Sequence, residues 1–256
     1  MGKAEDGEHL VFEDHFDTPA LDRSKWSPHY LPHWTTVDSA ASYEIRDSVL
    51  RLSIAPDQPP WCPEFDGPIR VSNLQTGHWS GPLGSTQGQH RFQPDLRVRR
   101  ALPTEQLFLH HYGRLDMRAR ASLKPWNLAA LWLMGFEDEP ARSGEITLFE
   151  VFGNRAQPGA CIVNRGIKRI NDPTLSDEID SRPLPLAVED WHVYGLDWTP
   201  SGIRFLVDGQ EVTRTHQSPA YPMQLMLNIY DLSGDTRESE QGWFEIDVIR
   251  AWRLGG

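Results

Sequence analysis

The chain alternates between apolar and polar positions in short runs, and that period dominates the sequence. Residues 115–123, Leu-Asp-Met-Arg-Ala-Arg-Ala-Ser-Leu, alternate cleanly, as a strand with one buried and one wet face requires. Residues 49–54 and 193–198 repeat the pattern, and residues 10–16 show it weakly before an Asp-Thr-Pro turn. Residues 128–134 are almost wholly apolar and suit a strand covered on both faces. Residues 145–152, 203–207, 223–229 and 244–252 add further β-prone runs. Thr199-Pro200-Ser201-Gly202 is a turn, and Asp208-Gly209 is a strong hairpin signal. Five prolines within residues 56–68 predict a loop too stiff for a ladder strand. No segment predicts a helix longer than two turns, and no 20–50-residue repeat is present. Many short strands with regularly spaced turns predict an all-β antiparallel sandwich. No linker divides it, so residues 1–256 are expected to form one domain.

Composition narrows the function. A formal net charge of −11 disfavours a phosphate-backbone partner, so nucleic acid is not expected. No apolar run approaches the ~20 residues of a membrane span, so no membrane partner is expected either. The first eight residues are charged and lack the apolar centre of a signal peptide. The chain as it stands is therefore expected in the cytoplasm, or outside the cell if an export signal has been trimmed. Ten tryptophans serve a sandwich core, and an indole face also packs on the apolar face of a sugar ring. More than half are expected in the core. Cys62 and Cys161 show no metal or redox spacing, and buried reduced thiols are expected.

The chemistry concentrates in residues 143–153, Ser-Gly-Glu-Ile-Thr-Leu-Phe-Glu-Val-Phe-Gly. In a regular strand Glu145 and Thr147 share a face, and Glu150 has the opposite parity. A one-residue bulge between them returns Glu150 to the face of Glu145. Their Cα atoms would then stand roughly 13 Å apart, a gap that two long glutamate side chains can largely close. Paired carboxylates ~5–5.5 Å apart suit a retaining glycosidase. One attacks the anomeric carbon. The other protonates the departing oxygen and then deprotonates the incoming water.

Six motifs in order resemble glycoside hydrolase family 16, the group of laminarinases, lichenases, agarases and κ-carrageenases. They begin with residues 10–17, Leu-Val-Phe-Glu-Asp-His-Phe-Asp, followed by 21–26, Leu-Asp-Arg-Ser-Lys-Trp. They continue with 112–119, Tyr-Gly-Arg-Leu-Asp-Met-Arg-Ala, 129–134, Ala-Ala-Leu-Trp-Leu-Met, and 144–150, Gly-Glu-Ile-Thr-Leu-Phe-Glu. The pair 192–200 and 203–209 is the closest match, and 244–250 resembles the closing strand. The resemblance implies a β-jelly roll with a concave glycan cleft, Glu145 as nucleophile and Glu150 as general acid/base. The spacing matches the bulged, laminarinase-like form of the motif.

The family has an aspartate where this chain has Thr147. A hydroxyl cannot carry charge or share a proton as a carboxylate does. An enzyme with a retuned nucleophile and a sugar-binding site without turnover both follow from that change, and a transglycosylase would use the same residues. Asn164 stands where the family often has a histidine, and Arg165 and Lys168 add positive charge that hints at an anionic or unusual glycan. Trp132 is expected on the cleft floor, Trp126 and Trp79 in loops against the cleft, and Asn228 as a sugar contact. Asp247 lies where many members bind calcium on the convex side, a structural ion only, since no cofactor is expected in catalysis. The implied partner is a polysaccharide or oligosaccharide, cleaved by a monomer with β-glucanase or galactanase activity.

Overall fold

A computed structural model describes residues 7–234 and 241–254. In chain order the strands of the two main sheets are β1 (Glu8–Asp14), β2 (Ser42–Arg46), β3 (Val49–Ser53), β4 (Arg70–Gln75), β5 (Gly113–Ser122), β6 (Asn127–Gly135) and β7 (Glu145–Phe152). They continue as β8 (Asn164–Lys168), β9 (Glu178–Asp180), β10 (His192–Thr199), β11 (Gly202–Val207), β12 (Gln210–Thr215), β13 (Met223–Asp231) and β14 (Trp243–Leu254). An eight-stranded sheet runs β12-β11-β10-β5-β14-β3-β2, with β1 also paired to β14. A six-stranded sheet runs β9-β8-β7-β6-β13-β4. The long pairings are antiparallel, as the alternating pattern requires. The β11–β12 hairpin turns at Asp208-Gly209, where both φ values are positive (51° and 77°), as its tight turn demands.

The two sheets bury one core between them. From the six-stranded sheet it takes Leu131 and Leu133 of β6, Ile146, Phe149 and Val151 of β7, and Leu225 and Leu227 of β13. From the other it takes Met117, Leu196, Phe205 and Phe244. Six of the ten tryptophans (Trp26, Trp34, Trp61, Trp132, Trp198 and Trp252) are buried. Cys62 and Cys161 are buried and unpaired, and burial pushes both thiols up to about 11. The longest helix among the described residues is the single turn Pro63–Asp66 within the proline-rich loop.

A second apolar cluster lies on the other face of the six-stranded sheet. Trp132, Met134 and Met226 meet Leu31, Trp34 and Trp61 there, with Leu96 and Val98 behind them. Loops from the first hundred residues therefore cover part of that face and form a wall. The same loops bury β4, a strand whose sequence, Arg-Val-Ser-Asn-Leu-Gln, gives no alternating signal. Its polar side chains all find partners: Ser72 Oγ donates to Ser53 O at 2.6 Å, Asn73 Nδ2 to His29 O at 2.6 Å and Gln75 Nε2 to Gly77 O at 2.8 Å. A fully satisfied polar strand can be buried at little cost, and local hydrophobicity does not reveal it.

Candidate active site

The chemistry sits on β7, at the open part of the walled face. Ile146, Leu148, Phe149 and Val151 point into the core, and Leu148 and Phe149 are consecutive. Pairing with β6 shows why: Leu131 faces Phe149, and the next residue, Trp132, faces Thr147. Leu148 is therefore the extra residue of a β-bulge, which accommodates two adjacent inward side chains. The bulge puts Glu145, Thr147 and Glu150 in one pocket with Trp132, Lys168 and His90.

Lys168, on the neighbouring strand β8, joins the two carboxylates. Its Nζ lies 2.9 Å from Glu145 Oε1 and 2.9 Å from Glu150 Oε1. The two oxygens are thus at most twice that distance apart, a limit that admits the ~5–5.5 Å separation of a double-displacement pair. Thr147 Oγ1 donates to the same Glu145 Oε1 at 2.7 Å. Two donors thus converge on Glu145 Oε1. Asn164 Nδ2 donates to Glu150 Oε2 at 2.8 Å and fixes the plane of that carboxyl group. Burial pulls the Lys168 ammonium down, and the two carboxylates outweigh it, so its value lies above that of an ordinary lysine. Lys168 is therefore a cation throughout the physiological range.

This arrangement disposes of the positive charge that had hinted at an anionic glycan. Lys168 is matched by two anions, and Arg165 is 2% exposed, its guanidinium held by Asp180 at 2.7 Å. Burial lowers Arg165, with Asp180 opposing. A carboxylated or sulfated sugar at this point would meet more negative charge than positive.

The remaining expected residues divide into two groups. Trp132 is at the cleft floor, 5% exposed, with its Nε1 donating to Asn228 Oδ1 at 2.5 Å. Asn228 is fully buried, and its Nδ2 donates to Asn73 Oδ1. Both ends of its amide are committed, so Asn228 orients the indole from behind and presents no group to a sugar. Trp126 is half-buried beside Leu232, at the start of β6, and Trp79 is half-buried where its N–H donates to Gln89 Oε1 at 2.9 Å. Neither lines the Glu145 pocket. Asp247 accepts from Arg118 at 2.7 Å on the eight-stranded sheet. No cluster of three or more metal-binding His, Cys, Asp or Glu side chains occurs among the described residues.

His90 is a site residue that sequence reasoning missed. Its ring lies 5.3 Å from that of Trp132, and its Nδ1 is buried without a partner among the described residues. Burial holds the imidazole below its ordinary value; Glu145 opposes this and Lys168 adds to it. The ring is therefore neutral. Its backbone N–H donates to Glu137 Oε1 at 2.7 Å, and burial pushes Glu137 up to about 8. Nothing in residues 88–92 signals this. The sequence shows Lys168 only as positive charge near this strand; its contact with both glutamates comes from the pairing of β7 and β8.

Gly166 holds this strand in place. Its φ is +144°, and a Cβ there would sit 2.0 Å from Glu178 O of β9. Gly166→Ala must push β9 away or twist β8, which displaces Asn164 and Lys168 together. We expect a loss of about 2 kcal/mol in calorimetric unfolding, with reduced activity. A variant as stable and active as the parent would show that the close approach is dispensable.

Comparisons with known proteins agree with this geometry. An endo-β-galactosidase from Clostridium perfringens that releases GlcNAcα1-4Gal superposes with a TM-score of 0.84 and 27% identity, over 98% of this chain and 63% of that one. A glucan endo-1,3-β-glucosidase of Cryptopygus antarcticus is 30% identical over 112 residues, 43% of this chain and 40% of that protein. A β-1,3-glucan-binding protein of Manduca sexta is 24% identical over 233 residues, 78% of this chain and 44% of that protein. The chain thus spans less than half the length of these two relatives. The profile of glycosyl hydrolases family 16 matches residues 104–250, more than half of the chain and the whole of the carboxylate strand. With the sandwich, the bulged strand and its paired glutamates, that match shows that the chain belongs to glycosyl hydrolases family 16.

Proposed function

We propose that the protein is a retaining endo-β-glycosidase acting on a neutral glycan, with Glu145 as nucleophile and Glu150 as general acid/base. The observation that carries this reading is that two carboxylates of one strand each lie 2.9 Å from a single ammonium nitrogen. In the first step the Glu145 carboxylate attacks the anomeric carbon. The bond to the glycosidic oxygen breaks as Glu150 gives that oxygen its proton. In the second step Glu150 takes a proton from water, the water oxygen attacks the same carbon, and Glu145 leaves as a carboxylate. Two inversions at one carbon give net retention. Thr147 stabilises the nucleophile by a hydrogen bond at 2.7 Å and contributes no charge.

The likeness to the Clostridium perfringens enzyme extends over 98% of this chain and favours a β-galactoside as the residue cleaved. Trp132 and the uncharged His90 ring line the pocket beside the glutamates, which suits an uncharged pyranose.

The test is digestion of oligosaccharides ending in GlcNAcα1-4Galβ, alongside laminarin and lichenan, with proton NMR of the first-formed product. The β anomer is expected to appear first. The α anomer would refute a double displacement. Binding without turnover would favour a glycan-binding role, as the Manduca sexta protein is named for.

A further inference from the structure

Resting on that reading, we infer that Lys168 is the fixed counter-ion of a charge that moves between Glu145 and Glu150 during the reaction. When substrate is bound, the negative charge lies on Glu145 and the proton on Glu150. After the first step Glu145 is an uncharged ester and Glu150 carries the charge. The second step returns the charge to Glu145. One unit of charge thus passes from one side of Lys168 to the other and back, while atoms and protons balance at each stage.

The geometry is symmetric about this movement. Lys168 Nζ contacts Oε1 of both residues at the same distance, 2.9 Å. It stabilises either end state without moving, and electrostatic stabilisation that needs no rearrangement is most effective in a transition state. The surroundings leave it no competing partner. His90 is neutral, and the phenols of Tyr30 and Tyr230 are pushed up by burial and carry no charge. Asn164 and Thr147 are uncharged donors on the two carboxyl groups. Lys168 is thus the one cation in direct contact with either glutamate among the described residues.

This assignment also accounts for the missing aspartate. Thr147 occupies the position between the glutamates on β7, so the strand adds no third anion there, and it has no cation of its own to balance the moving charge. The compensating group comes from β8 instead. A third anion at position 147 beside a bridging ammonium would tie up the lysine and leave it less available to the catalytic pair.

The test compares the parent with Lys168→Met, which keeps the aliphatic stem and removes the charge, and with Lys168→Arg, which keeps the charge. Lys168→Met is expected to lose about 100-fold in kcat with KM changed by less than about threefold, since electrostatic donors of this kind act mainly in the transition state. The acid limb of its pH profile should move to higher pH, because removing a nearby cation makes carboxylates harder to ionise. Lys168→Arg should recover at least about tenfold of the loss. A Lys168→Met enzyme within about threefold of the parent, with the same pH profile, would overturn the inference. So would an arginine variant no better than methionine. Carbon-13 titration of glutamate carboxyl groups in the whole chain reads the same contact without substrate. Cleft carboxyl titrations that do not move in Lys168→Met overturn the counter-ion role even if the parent cleaves no glycan tried. Glu145→Gln in the same assays reports separately on the hydrolase reading.

Discussion

Glu145→Gly is expected to lower glycosidase activity by at least about 10⁴-fold, the scale on which removing a covalent nucleophile leaves only binding and electrostatics. Folding should be nearly unaffected. The carboxylate's partners are Thr147 and Lys168, both at the cleft, and its backbone pairing with β6 and β8 is independent of the side chain. Azide separates the two roles. In Glu145→Gly the vacated space admits azide on the face from which the nucleophile attacks, and Glu150 still protonates the leaving group. The product is the α-glycosyl azide. In Glu150→Ala the glycosyl–Glu145 ester still forms with an activated aryl glycoside, and azide attacks it from the opposite face. The product is the β-glycosyl azide. The reverse pattern, read by NMR of the isolated azides, would exchange the roles of Glu145 and Glu150.

Asp231→Ala is expected to destabilise the protein by about 3 kcal/mol, because it breaks a buried ion pair by removing one of its members. Arg70 and Asp231 are both 1% exposed. They face each other across the β4–β13 pairing and are joined by hydrogen bonds from the guanidinium Nε and Nη2. The same guanidinium reaches Ala55 O and Pro56 O at 3.4 Å and so ties the proline-rich loop to the sheet. At ~2–4 °C per kcal/mol for a chain of this size, the melting temperature should fall on the order of 10 °C. Replacing both partners with apolar residues of similar volume should restore part of the loss, since a buried ion pair gains little beyond the desolvation it must offset. A double-mutant cycle in urea measures the coupling directly. A single variant losing less than about 1 kcal/mol would mean that water or another group reaches Arg70.

The two predictions probe different kinds of information. The Glu145–Glu150 relation is written locally. Apolar residues at 146, 148, 149 and 151 break the strand alternation once, and a single break implies a single bulge. The register then places Leu148 as the extra residue. The Arg70–Asp231 pair has no local trace, because its members are 161 residues apart and β4 does not read as a strand. Asn228 and Asp247 show the same limit in another form. Each was expected to face a ligand, and each has partners from distant strands, Trp132 and Asn73 for one and Arg118 for the other.

The sequence by itself determined the all-β sandwich, the hairpin at Asp208-Gly209, the bulged carboxylate strand and the family, because hydrophobic alternation, turn chemistry and side-chain parity are properties of neighbouring residues. Only the tertiary structure decided the wall over one sheet face, the burial of β4, the neutral His90 beside Trp132, and the placement of Lys168 between the two glutamates. Those features depend on which strands and loops become neighbours. A lysine 18 residues beyond Glu150 becomes its ion-pair partner only when antiparallel pairing of β7 and β8 brings the two side chains onto one face.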